Sequence, residues 1–408
     1  MLLRSLAATL SLLGLCIFVP VSAYPVDWSV KPRIGAMQEY NDNILFNSRY
    51  KIDDFITKLI PRIDIKGLTE TNSLLVETAV IGEKYIDNSN LDTINTINRL
   101  ILRHSWNERF FTKVEGRFIK DKTLESELEA AGLRGFRKTR YLYGFDAAGR
   151  YSLNERLSMT FGGGPHYSHY PDGPYPDQDT WHIYLDPALA LDSRDSIGLL
   201  TDFEHADYES STTVKTLSSS IYYRRRIGET SRFVLGGGYR HTWASYKSIY
   251  LGLGIDPESG RYISVPLRKK RSGHEGGFIF NSELNNDWTE RFSTRITAGR
   301  EHYNSVDVRS IDLTYLRSTF QYKWTETISS NLGLSYYNTV EDGPGDRNTD
   351  NIKIEPFISW SVTQNLILKF GGAYRYEKED NRRGHENIDR FKGWIAFSYE
   401  YPRFLSNH

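Results

Sequence analysis

The histidines are the residues of this sequence best suited to chemistry, but their spacing forms no catalytic motif. His166 and His169 are three residues apart, so they face opposite ways on a strand, where side chains alternate. Neither a cysteine nor a paired carboxylate accompanies them, and we predict no metal site. His104 and Ser105 are adjacent and also diverge. Because G-x-S-x-G and H-E-x-x-H patterns are absent, we predict no catalytic residues, no cofactor and no enzyme activity.

Two further motifs have both a ligand-binding and a structural interpretation. The run Asn41-Asp42-Asn43 has oxygen ligands for calcium, but asparagine and aspartate cap turns equally well. Glycine runs at 162–164, 236–238 and 371–372 would cradle a phosphate only if a helix followed them, and none does. We therefore attribute these glycines to strand bending and to aromatic rings lying flat across them.

Seven short polar turns divide the chain into alternating segments. Each turn places an aromatic or aliphatic residue on both sides of a short connection. Between these turns the chain makes longer excursions rich in glycine, proline and aspartate. Short turns at one end and long loops at the other are typical of a transmembrane β-barrel. The turns lie at 106–110, 153–157, 191–197, 227–233, 288–292, 324–328 and 362–366.

The composition agrees with a barrel rather than with a soluble core. Apolar residues make up 39% of the 408 residues, whereas aromatic residues reach 13% and include 27 tyrosines. A barrel needs apolar residues only on its outer band, and aromatic residues form the girdles at its two interfaces. No segment has the roughly 18 consecutive apolar residues of a membrane helix. The formal net charge is zero, which argues against a nucleic-acid partner.

The start of the chain resembles a secretory leader. An apolar run follows Arg4, and Ala23 ends a stretch of small residues suited to cleavage. We expect residues 1–23 to be a signal peptide and 24–408 to be one outer-membrane barrel domain. The single cysteine, Cys16, lies in the leader, so the exported chain would have no disulfide or thiolate site.

The predicted fold class is all-β, a transmembrane antiparallel β-barrel of about 18 strands, with short periplasmic turns and long extracellular loops. Sixteen strands is the alternative count, and an even number places both termini in the periplasm. A phase change near Tyr315-Leu316 predicts either a bulge or a wrong strand boundary, and Pro61 and Pro356 each remove a ladder hydrogen bond. The predicted strands are 29–40, 53–66, 73–86, 92–106, 109–120, 138–152, 156–169, 180–190, 196–208, 212–226, 231–244, 273–287, 291–304, 310–324, 328–340, 351–362, 365–377 and 389–401.

The alternation also predicts which charged residues line the lumen. Among the residues predicted to face inward, basic residues exceed acidic ones by about two to one. This surplus predicts a lumen that favours anionic or uronic-acid-bearing solutes. Cross-strand charge pairing within the wall is the alternative. The predicted basic lining is Lys58, Arg62, Lys66, Lys113, Arg117, Arg140, Arg150, Arg224, Arg226, Arg295, Lys353, Lys369, Arg375 and Lys392. The predicted acidic lining is Asp64, Glu115, Asp146, Glu355, Glu377 and Glu400, and the predicted interfacial tryptophans are Trp106, Trp288, Trp324 and Trp360.

Two loops are candidates for special roles. The longest predicted excursion, 245–272, contains the basic run 268–271. It is expected to fold inward as a constriction, to meet lipopolysaccharide, or to be an ordinary solvated loop. The segment 124–131 is predicted to form a short helix without chemistry of its own.

Three features of the expected mature chain occur together: the motifs at 29–35 and 39–43, the spacing from Phe55 to Pro61, and the tryptophan-containing turns. In these features the chain resembles a family of β-barrel porins encoded beside exopolysaccharide and exosortase genes. The resemblance implies an outer-membrane conduit for secreted polysaccharide that works with a periplasmic export partner. The expected partners are outer-membrane lipid and lipopolysaccharide, together with the polysaccharide and that export protein. A general porin for small anionic solutes and a plugged structural barrel are the alternatives.

Overall fold

The computed structural model describes residues 26–402 except 172, 174, 211, 256–261, 305–309, 342–346 and 382–383. The expected leader lies outside the described residues. Eighteen antiparallel strands form a single sheet. Numbered β1 to β18 in chain order, they are Asp27–Asn41, Asp54–Leu68, Asn72–Tyr85, Thr93–Ser105, Phe110–Lys122, Thr139–Ser152, Leu157–His169, Gln178–Ala190, Asp195–Tyr208, Thr212–Ile227, Ser231–Ile255, Tyr262–Asp287, Phe292–Asn304, Ser310–Lys323, Ile328–Glu341, Arg347–Ser361, Leu366–Asn381 and Gly384–Glu400.

The sheet closes into a barrel because β1 pairs with both β2 and β18. At the closing seam Arg33 is opposite Glu400 and Asn41 is opposite Lys392. Every other strand pairs with its two neighbours in sequence. Closure satisfies the edge hydrogen bonds that an open sheet would leave unpaired. The predicted antiparallel barrel of 18 strands is confirmed, and the alternative count of sixteen is wrong.

The seven predicted short turns all lie at the end of the barrel where β1 begins and β18 ends. In six of them the second residue of the turn accepts hydrogen bonds from two backbone N–H groups further along. This local side-chain capping fixes a tight turn and thereby sets the register of the strands on both sides. The capping residues are Asn107, Asn154, Asp192, Thr289, Thr325 and Thr363.

Three tryptophans mark the same end of the barrel. Trp106, Trp288 and Trp324 are 61%, 59% and 58% exposed. Each indole N–H donates to a hydroxyl six residues later, across the turn, at 3.0–3.1 Å. Trp360 lies on the outer face of β16 and is also exposed. Indoles with an apolar body and a satisfied polar tip suit the boundary between lipid and water.

The two faces of the sheet differ in polarity, as the period-2 pattern predicts. On β2 the outward Phe55, Leu59 and Ile63 are about half exposed. The intervening Lys58 and Arg62 form ion pairs with carboxylates of β1–β3 inside the barrel. Apolar side chains thus form the outer surface, and charged side chains line the interior.

The connection between β5 and β6, residues 123–138, enters the barrel, and we call it the lumen segment. It contains the helix α1, Thr123–Ala131, which ends at Gly132 with a left-handed φ of 68°. Glycine tolerates this conformation without cost from a side chain. The helix predicted at 124–131 is confirmed, and a short 3₁₀ helix is present at Ser89–Leu91. None of the helices in the described chain is long and apolar enough to span a membrane.

Two predictions about chain irregularities are wrong, and one is confirmed. Residues 245–272 were expected to form a loop, but β11 and β12 stay paired as far as Ile255 and Tyr262. The basic run 268–271 lies among residues whose side chains the structure does not describe. The register of β14 is continuous on both sides, so there is no bulge at Tyr315. The pairing of β2 with β3 and of β16 with β17 is interrupted at Pro61 and Pro356, because proline has no N–H to donate.

Glycines of the wall accommodate aromatic rings from neighbouring strands, as predicted. A Cβ atom on Gly162 would lie 2.8 Å from the hydroxyl of Tyr184, and one on Gly198 would lie 2.3 Å from the ring of Tyr222. The Tyr222 hydroxyl in turn donates to Asp186 at 2.7 Å. These glycines let large rings lie flat against the wall instead of projecting into the lumen.

We predict that Gly198→Val destabilises the barrel by about 1–3 kcal/mol, because the added methyl groups overlap the Tyr222 ring. Unfolding by denaturant in detergent, followed by tryptophan fluorescence, measures this change. Gly273→Val is the matched control, since a Cβ atom at Gly273 would have no heavy atom within 4 Å. Equal stability of the two variants would contradict the proposed role of Gly198.

Candidate functional site: the lumen

The lumen segment crosses the bore. It leaves the wall at β5, and the Nη2 atom of Arg317 on β14 donates to the carbonyl of Ala130 at 2.7 Å. In the closed ring of eighteen strands, β5 and β14 are nine positions apart and therefore lie on opposite sides. Segment and wall together divide the interior into one half bounded by β14–β18 and β1–β5 and another bounded by β6–β13.

Two carboxylates of α1 bind buried guanidinium groups of the opposite wall. Glu129 lies 2.6 Å from Nη2 of Arg375 and 3.0 Å from Nζ of Lys353. Glu125, one helical turn earlier, lies 2.9 Å from Nη1 of Arg390. The Arg375 and Arg390 side chains are each only 3% exposed. Since an unpaired buried charge is very costly, these contacts attach the segment firmly to β16–β18.

The C-terminal end of α1 is also held by donors from the wall. Arg375 donates to the carbonyl of residue 128 at 2.6 Å, and Tyr337 donates to that of residue 129 at 2.9 Å. Arg317 supplies the next donor, to residue 130. The last carbonyls of a helix have no partner within the helix and carry partial negative charge. Cationic and hydroxyl donors from three strands satisfy these carbonyls.

Apolar contacts fill the space between the lumen segment and the wall. Leu124 and Leu128 of α1 pack with Ile388 of β18 and with Phe46 from the β1–β2 connection, and all four are at most 1% exposed. The guanidinium of Arg390 lies 5.0 Å from the centroid of the Phe46 ring. This side of the bore is therefore packed rather than open.

The β1–β2 connection folds inward next to the lumen segment. Of the two interpretations of the motif at 41–43, calcium binding and turn capping, its hydrogen bonds favour turn capping. The side-chain oxygen of Asn41 accepts from the Asn43 N–H at 3.0 Å, and that of Asn43 accepts from the Asn47 N–H at 2.8 Å. The Asn43 amide also donates to the carbonyl of Asp389 at 3.0 Å. These asparagine side chains are thus used by the backbone of the loop.

The charged neighbours of α1 keep its carboxylates ionised. Burial alone would raise the pKa of Glu125, but the charges of Arg390, Lys392 and Lys58 hold that pKa well below its usual value. Burial likewise opposes ionisation of Glu129, yet Arg375 and Lys353 lower its pKa. A lowered pKa means that folding stabilises the carboxylate form. The docking contacts therefore persist at neutral pH and weaken only in acid.

The register places the predicted lining residues on the inner face, but half of the basic residues are neutralised there. Seven form ion pairs with carboxylates, namely Lys58, Arg62, Lys113, Arg140, Lys353, Arg375 and Lys392. Of the predicted acids, Asp64, Glu115, Glu355 and Glu400 pair with basic residues, Glu377 accepts from Asn351, and Asp146 contacts two histidines.

The predicted two-to-one surplus of basic residues is too large, because several inward acids were not recognised. Glu39, Glu77 and Glu83 lie on the inner face and form ion pairs there, and Glu125 and Glu129 enter the lumen from the β5–β6 connection. Period-2 alternation could not find the last two, since they lie on a helix. The helix predicted at 124–131 therefore contributes ion pairs with the wall, which its prediction as a segment without chemistry of its own does not include.

The basic residues without a carboxylate partner are concentrated at the short-turn end of the lumen. We call them the basic belt. None of its members forms a salt bridge within the described part of the chain. Arg150, Arg224, Arg226 and Arg232 of the belt line a cavity of about 360 Å³ together with Arg156 and Arg194, and its carboxylates are Glu155, Asp192 and Asp195. The belt comprises Lys66, Arg103, Arg150, Arg224, Arg226, Arg232, Arg295, Lys323 and Lys369.

One cluster of metal-ligating residues faces the other half of the bore. His166 and His169 lie on opposite faces, as predicted: His169 stacks on the outward Tyr141, and His166 contacts Asp146 on the inner face. His182 of β8 lies next to His166 and Asp146. One ligand atom from each of these three residues lies within 4.8 Å of the others. The prediction of no metal site rests on the spacing of His166 and His169 and does not include this cluster, because Asp146, His166 and His182 lie on three different strands and meet only in the folded sheet.

The chain is similar to OccK2 (OpdF) of Pseudomonas aeruginosa, with 8% identity, a TM-score of 0.47 and coverage of 93% of this chain and 98% of that chain. It is also similar to OccAB4 of Acinetobacter baumannii, with 8% identity, a TM-score of 0.45 and coverage of 93% and 99%. These likenesses concern the fold alone. No protein-family model and no curated protein matches the chain.

A closed, even-numbered antiparallel barrel with an apolar outer face and a charged interior is the architecture of bacterial outer-membrane proteins. This chain is a bacterial outer-membrane β-barrel of 18 strands. Its short turns are periplasmic by the convention of such barrels, so the basic belt surrounds the periplasmic mouth and the lumen segment descends from the extracellular side. The resemblance to porins of exopolysaccharide loci stays a prediction.

We predict that Glu125→Gln/Glu129→Gln releases the lumen segment and raises single-channel conductance. The substitutions leave the buried Arg375 and Arg390 without carboxylate partners, at a cost of about 3–5 kcal/mol of docking free energy. Planar-bilayer recording measures the conductance and its fluctuations. The matched control is Glu108→Gln/Glu326→Gln, which removes two charges from exposed periplasmic turns. Unchanged conductance in the first variant would show that these ion pairs do not hold the segment.

We also predict that wild-type conductance is steady at neutral pH and rises only in acid, below the ordinary pKa of a glutamate. The lowered pKa values of Glu125 and Glu129 stabilise docking above their unfolded-state pKa. This stabilisation is lost as the pH falls through the folded-state pKa. Conductance recorded across a pH series tests the prediction, and the Glu125→Gln/Glu129→Gln variant should lack the acid step. An identical step in that variant would assign the step to other groups.

Proposed function

We propose that this barrel is a channel for small anionic solutes across the outer membrane. The observation that carries the proposal is the basic belt, whose positive charges are not neutralised by neighbouring carboxylates. Uncompensated charge of one sign along a narrow passage with low-dielectric walls concentrates counter-ions and raises their rate of entry. An 18-stranded barrel is wide enough to leave an aqueous passage.

The charge distribution along the bore supports anions rather than solutes of either sign. Around the lumen segment, basic residues are matched by Glu39, Glu125 and Glu129, so this region contributes little net field. At the periplasmic mouth no belt residue forms an ion pair within the described chain, and six arginines line a cavity that contains three carboxylates. The field that a permeating ion meets is therefore positive, and it weakens as salt screens it over about 10 Å at 0.1 M.

The lumen segment favours small solutes over a polymer. It spans the bore and is attached to strands on the opposite wall through buried ion pairs and a packed apolar cluster. A polysaccharide chain would have to displace these contacts over its whole length of passage. A small solute needs only the half of the bore bounded by β6–β13. Polysaccharide export and its periplasmic partner, which the sequence resemblance suggested, therefore give way to the small-solute proposal.

We predict that the purified protein in a planar bilayer is anion-selective under a KCl gradient, and that Arg150→Gln/Arg224→Gln/Arg226→Gln moves its reversal potential toward the cation side. These substitutions remove three of the unpaired charges at the periplasmic mouth. The effect should decline between 0.1 and 1 M salt, where the screening length falls to about 3 Å.

The control is Arg225→Gln, which removes an arginine from the opposite face of the same strand, where its side chain is 53% exposed. It should leave selectivity unchanged. Cation selectivity of the wild-type protein would refute the proposal, and absence of conductance would favour a plugged structural barrel. Conductance that requires removal of the lumen segment would revive the polymer conduit.

A further inference from the structure

We propose that Asp146, His166 and His182 form a binding site for a first-row transition-metal ion, of which Zn²⁺ is the probe of choice. The three residues project from adjacent strands β6, β7 and β8 into the half of the bore that the lumen segment leaves free. Two imidazoles and one carboxylate are the donor set of many sites for Zn²⁺ and related ions, which keep further coordination positions open.

The distances between the donor atoms suit a shared ion. Nε2 of His166 lies 3.2 Å from Oδ1 of Asp146, and Nε2 of His182 lies 3.3 Å from the same oxygen. Two ligands of a tetrahedral zinc ion with bonds of about 2.1 Å are about 3.4 Å apart. Two of the three edges of such a site are therefore already in place, and the third lies within 4.8 Å.

The wall around the cluster is built from glycines that leave room for the rings. Gly144, Gly162 and Gly164 share the inner face with Asp146 and His166. A Cβ atom at Gly144 would be 3.1 Å from the His166 ring, and one at Gly164 would overlap the backbone of β6. The glycines thus allow the imidazoles to lie against the wall with their nitrogen atoms directed toward Asp146.

Arg117 approaches His166 without occupying the lone pair that a metal would use. Its Nη2 atom lies 3.1 Å from Nε2 and 3.4 Å from Nδ1 of the imidazole. An in-plane hydrogen bond to one ring nitrogen would put the donor much further from the other. The nearly equal distances place the guanidinium over the face of the ring. The coordinating direction of Nε2 stays open, although the nearby positive charge lowers the affinity for a cation.

Carboxylates of the next strand lie beside the cluster. The register places Glu204 opposite His182 and Asp202 opposite Tyr184 on the inner face of β9. The side chains of His166, His182 and Asp146 are 21%, 20% and 31% exposed, so an ion can reach them from the water of the bore. Its remaining coordination positions would face that water.

Other histidine–carboxylate contacts in the barrel lack this convergence and provide controls. His205 contacts Asp207 at 2.8 Å on the outer face, and His169 contacts Asp177 at 2.7 Å. Each has one imidazole and one carboxylate. Such pairs are ordinary hydrogen bonds, whereas the triad brings three donors to one point.

The test is calorimetric titration of the full-length, detergent-folded barrel with Zn²⁺. We expect one site, weakened by about 100-fold or more in His166→Asn and in His182→Asn, because loss of a direct ligand costs at least as much as loss of a supporting contact. His205→Asn should bind as the wild type does. Arg117→Gln should tighten binding by about tenfold, since it removes a positive charge a few ångströms from the ion.

The Arg117 variant separates a metal site from a merely structural triad, because loss of packing would not improve binding. Heat-dependent mobility on a denaturing gel shows whether each variant is folded. A second readout is the ion current through the channel. Added Zn²⁺ should change this current in the wild type and should leave it unchanged in His182→Asn. Zn²⁺ binding that is absent from the wild type, or equal in wild type, His166→Asn and His182→Asn, would overturn the assignment.

Discussion

The interior of this barrel depends on the ion pairs between the carboxylates of α1 and the guanidinium groups of Arg375 and Arg390. These two arginines are almost fully buried, and a buried cation without a partner is tolerated only at a cost of several kcal/mol. Glu125 and Glu129 remove that cost, and the arginines in turn satisfy helix carbonyls and carboxylates that would otherwise be unpaired. Wall and segment therefore require each other. Because the segment starts on one side of the barrel and binds the other, this mutual requirement also determines the shape of the passage.

Division of the bore gives its two halves different physical characters. On the side of β14–β18 and β1–β5, the charges around the lumen segment are matched within ion-pairing distance and apolar side chains fill the gaps. Only at the periplasmic end of this side does the basic belt contribute unpaired residues, namely Lys66, Arg103, Lys323 and Lys369. On the side of β6–β13, the wall carries unpaired arginines near the periplasmic mouth and the His166–His182 cluster above them. A matched charge stabilises the protein, and its field is largely cancelled a few ångströms away. An unmatched charge facing water is available to a solute.

The barrel could be predicted from sequence because its determinants are local. Each strand is identified by period-2 alternation, and each periplasmic turn by a capping residue such as Asn107 or Thr289 that acts within three residues. The lumen segment could not be predicted, because its position depends on partners about 250 residues away. A signal was nevertheless present: two glutamates one helical turn apart in a chain whose predicted lumen had too many basic residues. Two of the acids missing from the predicted lining are the ones on this helix, Glu125 and Glu129. The prediction of a loop at 245–272 was wrong for a local reason. Glycines and a basic run are typical of a loop, but β11 and β12 remain paired there.

Partners that are distant in sequence also explain why a count of inward charges overestimates the surplus of basic residues. The same count nevertheless includes most of the unpaired basic residues that favour anions. Alternation assigns a residue to a face but says nothing about what lies opposite it, and that depends on register and on connections folded into the lumen. Lys58 and Arg150 are indistinguishable by pattern. Lys58 meets Glu39 and Glu83, whereas Arg150 lines a cavity in which arginines outnumber carboxylates. At about 4 Å an opposite charge cancels most of the field that a permeating ion would experience. Selectivity in this barrel therefore follows from the residues that folding leaves unmatched, and these cluster where the lumen segment does not reach.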